Sequence, residues 1–150
     1  MDGAVGGVGQ PEGGVYTYYF QSLYFAEEAL TLWIDGAAWL QKDAGPVTLS
    51  LADGSYTGTL PQGVTCLSVD EEEGQPVIWV ESILHRTPFA LTYRDETGAE
   101  RTFSKLSELQ SGETRRFRYF LEEGTAGIVA LLPVYTSLSH LEEPLSIPLQ

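Results

Sequence analysis

The chain has 150 residues, of which 43% are hydrophobic, and a formal net charge of −13, so a folded domain with a real core is expected rather than disorder. The acidic balance argues against nucleic-acid binding, which relies on Lys and Arg to displace phosphate counterions, and no apolar stretch approaches the ~20 residues of a membrane helix. The single cysteine, Cys66, excludes an internal disulfide, and its place in a predicted strand indicates a buried thiol.

The charge is distributed unevenly along the chain. Residues 1–85 carry twelve acidic residues against one basic residue, Lys42, and residues 119–150 carry four acidic residues and no lysine or arginine. Residues 86–118 carry seven basic residues against five acidic ones. A solvated surface would account for this asymmetry, and so would an acidic partner or self-assembly of copies through complementary faces.

The N-terminal segment changes character at residue 15. Residues 1–14 are rich in glycine and have no periodicity, which predicts a flexible tether. Residues 15–150 are then expected to form a single β-sandwich domain.

Aromatic residues are concentrated in residues 15–25. Rows of aromatic side chains usually fill a core or stack across strands. Tyr18, together with Trp33 and Trp39 further along the chain, is also a candidate platform for binding a carbohydrate or a peptide.

The segment from 22 to 45 supports two interpretations. As strands, Leu30, Leu32 and Ile34 alternate with polar or aromatic neighbours and end at Asp35-Gly36. As a helix within 22–42, apolar residues recur at three- and four-residue spacing, although an interior Gly36 costs about 1 kcal/mol against alanine. The strand interpretation is favoured.

From residue 47 onwards the pattern is one of strands separated by turns, which is typical of a sandwich or barrel. Alternating apolar residues and Gly- or Asp-containing turns predict four hairpins. They are 47–60 with a turn at Asp53-Gly54, 64–84 with an acidic turn at 70–74, 89–104 with a turn at 95–98, and 114–121 paired with 127–136.

Catalytic and metal-binding motifs are not evident. His85 and His140 lack metal-ligand spacing, and no nucleophile elbow or phosphate-binding glycine loop occurs. The acidic run 70–73 is interpreted as a solvated turn, with a calcium site as the alternative. The sequence therefore predicts no enzyme, no catalytic residue, no metal and no cofactor.

The clearest charged feature is the segment 114–121, which contains three arginines within four positions. In a strand, Phe117, Tyr119 and Leu121 would face the core, whereas Arg116 and Arg118 would face solvent. Exposed pairs with Glu100 or Asp95 across the hairpins are expected, worth ~0–1 kcal/mol each. The alternative is a docking stripe for a partner, formed by Arg116, Arg118, Arg94 and Arg101.

Residues 83–121 combine a strand with a short polar break, a strand leading to Asp95-x-x-Gly98, and an L-x-x-L-x-x-G-E corner at 106–113. This stretch resembles the second half of Ig-like β-sandwich modules in bacterial extracytoplasmic proteins, and residues 89–95 are similar to FxLYD-type domains. The resemblance implies an all-β, Ig-like sandwich of about 7–9 antiparallel strands. The Gly-rich start resembles the linker that follows the lipidated cysteine of bacterial lipoproteins after a leader has been removed.

Together these observations predict a non-catalytic binding module of a bacterial surface protein or lipoprotein, located outside the cell or in its envelope. It would act through a protein partner or self-assembly, or by binding a carbohydrate or peptide, without nucleic acid and without a membrane span. The alternative is a virion or appendage structural protein whose copies assemble through acidic and basic faces.

Overall fold

The computed structural model describes residues 8–12, 15–19, 30–84 and 86–149, with side chains described at 31–34, 36–84 and 86–148. These residues contain strands and no helix, so the predicted all-β fold is confirmed. The strands are β1 (Val8–Glu12), β2 (Val15–Tyr19), β3 (Leu30–Trp39), β4 (Val47–Ser50), β5 (Tyr56–Thr57), β6 (Val64–Glu72), β7 (Gln75–Ser82), β8 (Phe89–Arg94), β9 (Glu100–Thr102), β10 (Lys105–Ser111), β11 (Thr114–Phe120), β12 (Ile128–Pro133) and β13 (Ser137–Leu149).

The chain divides into two compact units, one comprising Met1–Asp35 with Leu141–Gln150 and the other comprising Gly36–His140. In the first unit β1 and β2 form an antiparallel pair with Gly9 opposite Tyr18. The described part of the predicted tether, Val8–Glu12, is therefore a strand. The boundary predicted at residue 14 stays a prediction.

The second unit contains two antiparallel sheets that share one hydrophobic core, which is the predicted β-sandwich. One sheet has the strand order β10-β11-β7-β6, and the other has the order β5-β4-β12-β8-β9. The seven strands β6–β12 occupy the positions of strands A, B, C, C′, D, E and F in an immunoglobulin sandwich. β4 occupies the position of strand G although it precedes the other seven, so the complete immunoglobulin topology is not reproduced.

The core of the sandwich is built from alternating residues of both sheets. Tyr119 packs edge-on against Phe89, with ring centroids 6.3 Å apart, and Phe103 lies 4.9 Å from Tyr119 and 4.7 Å from Tyr93. The buried Tyr119 hydroxyl donates to the carbonyl of Phe89 and accepts from its N–H, both at 3.3 Å. Burial raises the pKa of Tyr119, so this hydroxyl stays protonated and able to donate.

Three of the four predicted hairpins are present. β4 pairs with β5, β6 with β7, and β8 with β9. The second hairpin has a tighter turn than predicted, because Asp70, Glu71 and Glu72 belong to β6. Only Glu73 and Gly74 form the turn, with φ angles of 55° and 78°, as a two-residue type I′ turn requires.

The fourth predicted hairpin is wrong. β11 lies between β10 and β7 in the four-stranded sheet, whereas β12 lies between β4 and β8 in the other sheet. The connection 121–127 therefore crosses from one sheet to the other. The actual hairpin partner of β11 is β10, joined through a turn at Gly112, whose φ is 64°.

β3 and β13 form a two-stranded sheet of their own. At its start, the Thr136 N–H donates to the Trp39 carbonyl at 2.9 Å, and Gly36 lies so close to the Ser139 carbonyl that a Cβ atom would collide with it. Strand structure in 30–39 confirms strand over helix for that stretch, and residues 22–29 lie outside the described residues. The predicted end of the strand at Asp35-Gly36 is wrong, because β3 continues through both residues to Trp39. The alternating apolar residues thus indicated the correct structure, and the three- and four-residue spacing did not. Only glycine fits at position 36, because a Cβ atom there would collide with the Ser139 carbonyl.

The predicted burial of Cys66 is wrong, because its side chain is exposed. Cys66 lies in β6, the edge strand of its sheet, where the pairing with β7 shifts between Val64 and Cys66. Such a bulge re-aims side chains, which a period-two pattern does not anticipate.

Candidate interaction surfaces

Two of the three arginines of β11, Arg116 and Arg118, lie on the face of the four-stranded sheet that points away from the core. Phe117, Tyr119 and Leu121 are buried as predicted, and Arg116 and Arg118 alternate with them. The register places Arg116 opposite Glu81 of β7 and Arg118 opposite Trp79.

Arg118 is held by four neighbours. Its Nε donates to Ser107 Oγ at 2.8 Å, and its Nη1 lies 3.2 Å from Glu72 Oε2. The guanidinium carbon stands 5.4 Å from the ring centre of Trp79 and 5.6 Å from that of Phe120. Both distances are within cation–π range, so Arg118 serves as a cover over two aromatic rings.

The cover explains a departure from the predicted pattern. Phe120 shares the outward face with Arg116 and Arg118, yet it is buried. Lys105, whose Nζ lies 5.1 Å from the Phe120 ring centre, covers it together with Arg118. Long basic side chains bury apolar surface along their stems while their charges remain wet.

The ion-pair partners predicted for these arginines are wrong. Arg116 pairs with Glu81 at 2.7 Å, and Arg118 pairs with Glu72, neither of which is Glu100 or Asp95. The reason is the sheet order, because β11 is flanked by β7 and β10, whereas β8 and β9 belong to the other sheet.

Arg94 and Arg101 are exposed residues of the five-stranded sheet, on β8 and β9. Arg101 Nε lies 2.9 Å from Asp95 Oδ2, and its Nη1 lies 3.6 Å from Glu122 Oε2. The structure therefore places the four predicted arginines on two different sheets, and among the described residues three of them have carboxylate partners. A continuous basic stripe is not formed.

The predicted aromatic platform is described only in part. Trp33 and Trp39 both lie on β3 and are 66% and 45% exposed. The backbone of Tyr18 pairs with Gly9, but its side chain lies outside the described residues. Trp33 and Trp39 thus remain binding candidates, while a shared platform with Tyr18 stays a prediction.

The predicted acidic turn and the histidines form no metal-binding cluster within the described part of the chain. No group of three or more His, Cys, Asp or Glu there could hold a metal ion. His140 is exposed on β13, and His85 lies outside the described residues. In the same described part, no helix has the length and apolar character needed to cross a membrane.

A row of exposed apolar residues on β13 was not anticipated. Leu141, Leu145 and Ile147 are all exposed, and their odd numbering places them on one face of the strand together with Glu143. The signal was available in the sequence as alternation over residues 137–149. Such alternation normally predicts a buried face, whereas here the face is open.

An apolar groove of about 750 Å³ is present in the Gly36–His140 unit. Leu91 of β8 lines it from the five-stranded sheet and Leu106 of β10 lines it from the four-stranded sheet, with Val134 and Tyr135 completing it. Its size falls within the range of ligand-binding clefts. No local sequence pattern predicts this groove, because it is assembled from separate strands and connections.

No protein-family model matches the chain, and neither does any curated protein or solved structure. What these surfaces bind has therefore to be argued from their own chemistry.

Proposed function

We propose that the protein is a non-catalytic interaction module of a bacterial surface protein or lipoprotein that recognises another protein or a ligand outside the cell. The observation that carries the proposal is the exposed apolar row Leu141, Leu145 and Ile147 on β13. Folded monomers rarely leave contiguous apolar surface uncovered unless it binds something. The extracytoplasmic location rests on the resemblance of residues 83–121 to modules of that kind.

The arginine-rich face contributes less to this proposal than the apolar row does. Arg116, Arg118 and Arg101 already have carboxylate partners within the chain, and a partner would have to replace those contacts. The more exposed pairs of Arg116 and Arg101 stabilise the chain little, and new pairs with a partner at those positions would contribute equally little. Trp33, exposed on β3, is a stronger candidate contact.

Site-specific photo-cross-linking in the cells that produce the protein tests the proposal. A photoreactive residue is placed at position 145, on the apolar row, and as a matched control at Ile128, which is 50% exposed on β12. We expect a discrete adduct with another protein at position 145 and none at 128. Equal labelling at both positions, or no adduct at either, would contradict the proposal.

The second candidate is a structural protein of a virion or appendage, in which copies of the chain bind one another. The uneven charge favours it, because residues 119–150 contain no basic residue while residues 86–118 contain seven. In the same experiment, an adduct of the chain with itself supports this candidate over the first.

A further inference from the structure

The apolar groove is lined on one side by Leu91 of β8, whose side chain is exposed. Leu91 has the same parity as the buried Phe89 and Tyr93, yet it is 59% exposed. The pairing of β8 with β12 is irregular between Leu131 and Pro133, and the bulge leaves Leu91 facing solvent instead of the core. An apolar side chain thus lines an open groove.

A cation lies at the groove without a carboxylate partner among the described residues. Arg86 lines the groove and its guanidinium carbon stands 5.9 Å above the Tyr135 ring. Arg101, Arg115, Arg116 and Arg118 each contact a carboxylate, whereas no described carboxylate pairs with Arg86. The groove therefore suits an apolar segment that carries a carboxylate.

β13 has this composition. Leu141, Glu143, Leu145 and Ile147 share one exposed face, and no lysine or arginine occurs between residue 119 and the end of the sequence. Because β13 is held in a sheet with β3, this face is presented as an ordered surface rather than as a flexible segment.

The free edge of β13 is unsuited to strand addition. Pro144 and Pro148 have the same parity, so the donors that they lack fall on the same edge of the strand. Within β13, the Leu138 N–H has the same parity as these prolines and donates to the Gln62 side chain rather than to β3, which places that edge away from β3. Docking through the side-chain face is therefore favoured over docking through the backbone.

We propose that β13 of one copy docks its Leu141–Ile147 face into the apolar groove of a second copy, with Glu143 paired to Arg86. This inference rests on the second candidate function and names its interface. The two surfaces differ, so the contact is head-to-tail and propagates into a ring or a filament. Every copy in such an assembly would contribute one β13 face and one groove.

Complementation between two variants of the full chain tests the proposal. Leu145→Asp disables the β13 face and Leu91→Asp disables the groove, and both side chains are more than half exposed, so the fold is retained. In light scattering with chromatography, wild type should form higher assemblies and each variant should weaken association at least ~10-fold, the loss expected from one buried apolar side chain. An equimolar mixture of the two variants should stop at a dimer, because each variant retains one competent surface.

Charge reversal provides the second measurement. Arg86→Glu should weaken assembly, and the double variant Arg86→Glu with Glu143→Arg should restore it, because the pair is re-formed with opposite signs. Ile128→Asp, at 50% exposure on another surface, is the matched control and should leave assembly unchanged. Circular dichroism checks that every variant is folded.

A wild-type chain that stays monomeric at millimolar concentration would overturn this inference. So would a variant mixture that behaves as the separate variants do. Neither result would affect the proposed interaction module, whose test is an adduct of position 145 with a different protein. If that adduct forms while the purified chain remains monomeric, the partner is another protein and the self-docking interface is wrong.

Discussion

Two arginines that occupy equivalent positions on β11 have different surroundings. Arg116 makes an ion pair with Glu81, and the Arg116 side chain is about half exposed. Arg118 pairs with Glu72, and its side chain is partly buried. Its guanidinium group lies over the rings of Trp79 and Phe120. Their contributions to stability should differ accordingly.

We expect Arg118→Ala to lower the free energy of unfolding by about 1–3 kcal/mol, since it removes a cation–π contact, packing and a partly buried charge pair. Arg116→Ala should cost only about 0–1 kcal/mol. Urea denaturation of both variants, with unchanged m-values, measures the difference. Equal losses would mean that Arg118 does not act as a cover over the rings.

Asp95 is a residue whose charge should stabilise the fold at neutral pH but not at low pH. Hydrogen bonds from the Thr97 hydroxyl and from Arg101, with further bonds from the Thr97 and Ala99 amides, hold its pKa at about 2, below the ordinary 3.8. Because the folded pKa is the lower one, the carboxylate contributes stability above pH ~4, and this contribution is lost as the pH falls from ~4 to ~2.

Asp95→Asn should therefore lower Tm at pH 7 and have a much smaller effect at pH 2, where the wild-type carboxyl is itself becoming protonated. Thermal unfolding at pH 7, 4, 3 and 2 tests this. Asp53→Asn should behave in the same way, because hydrogen bonds from Ser55 hold the pKa of Asp53 at about 2. A difference in Tm that is independent of pH would count against the assigned role of the carboxylate.

At the scale of the elements, the pairing of β3 with β13 depends on a glycine. A Cβ atom at Gly36 would collide with the carbonyl of Ser139, whereas one at Gly45 would meet no atom within 4 Å. Gly36→Ala should therefore force the backbones apart locally, and Gly45→Ala should be neutral or slightly stabilising.

Hydrogen exchange measures the effect on the strand pair. We expect amides of residues 136–140 to lose at least ~10-fold protection in Gly36→Ala, while amides of β7 and β11 keep theirs. Gly45→Ala should leave both sets unchanged. If protection near Ser139 survives Gly36→Ala, the close approach of the two strands does not require glycine.

The elements also show what the sequence could predict. The hairpins at Asp53-Gly54, at Gly74 and at 95–98 were predictable because each turn is encoded by adjacent residues. The route of the chain after Leu121 was not predictable from the sequence, because a connection containing Gly124 and Gly127 is compatible with a hairpin and with a crossover between sheets. Which one forms is decided by long-range pairing of β11 with β7.

The candidate surfaces show the same contrast between local patterns, which the sequence predicts, and long-range strand pairing, which it does not. Alternation of polar and apolar residues predicted the outward faces of Arg116 and Arg118 correctly. Their partners Glu81 and Glu72 come from β7 and β6, and no local pattern reports which strands become neighbours. The open groove at Leu91 depends on a ladder irregularity that is equally invisible in one sequence.

At the scale of the whole molecule, the main core lies entirely within Gly36–His140. We therefore expect the fragment 36–140 to fold without the rest of the chain and to unfold cooperatively, with a urea m-value of about 1–3 kcal/mol/M. Dispersed amide signals in an NMR spectrum would show the folded state. Collapsed signals together with binding of a hydrophobic dye would mean that the sandwich needs the remaining residues.

The place of β4 in the sheet has a consequence for how the protein is made. β4 pairs with β12, so that Thr48 lies opposite Ala130, and during synthesis its partner leaves the ribosome roughly 80 residues later, on the order of ten seconds at cellular elongation rates. Until then β4 has only the short β5 beside it, and an isolated two-stranded hairpin is marginally stable. β12 must then enter between β4 and β8. The five-stranded sheet therefore closes only after β12 has emerged, and until then the nascent chain carries an open strand edge.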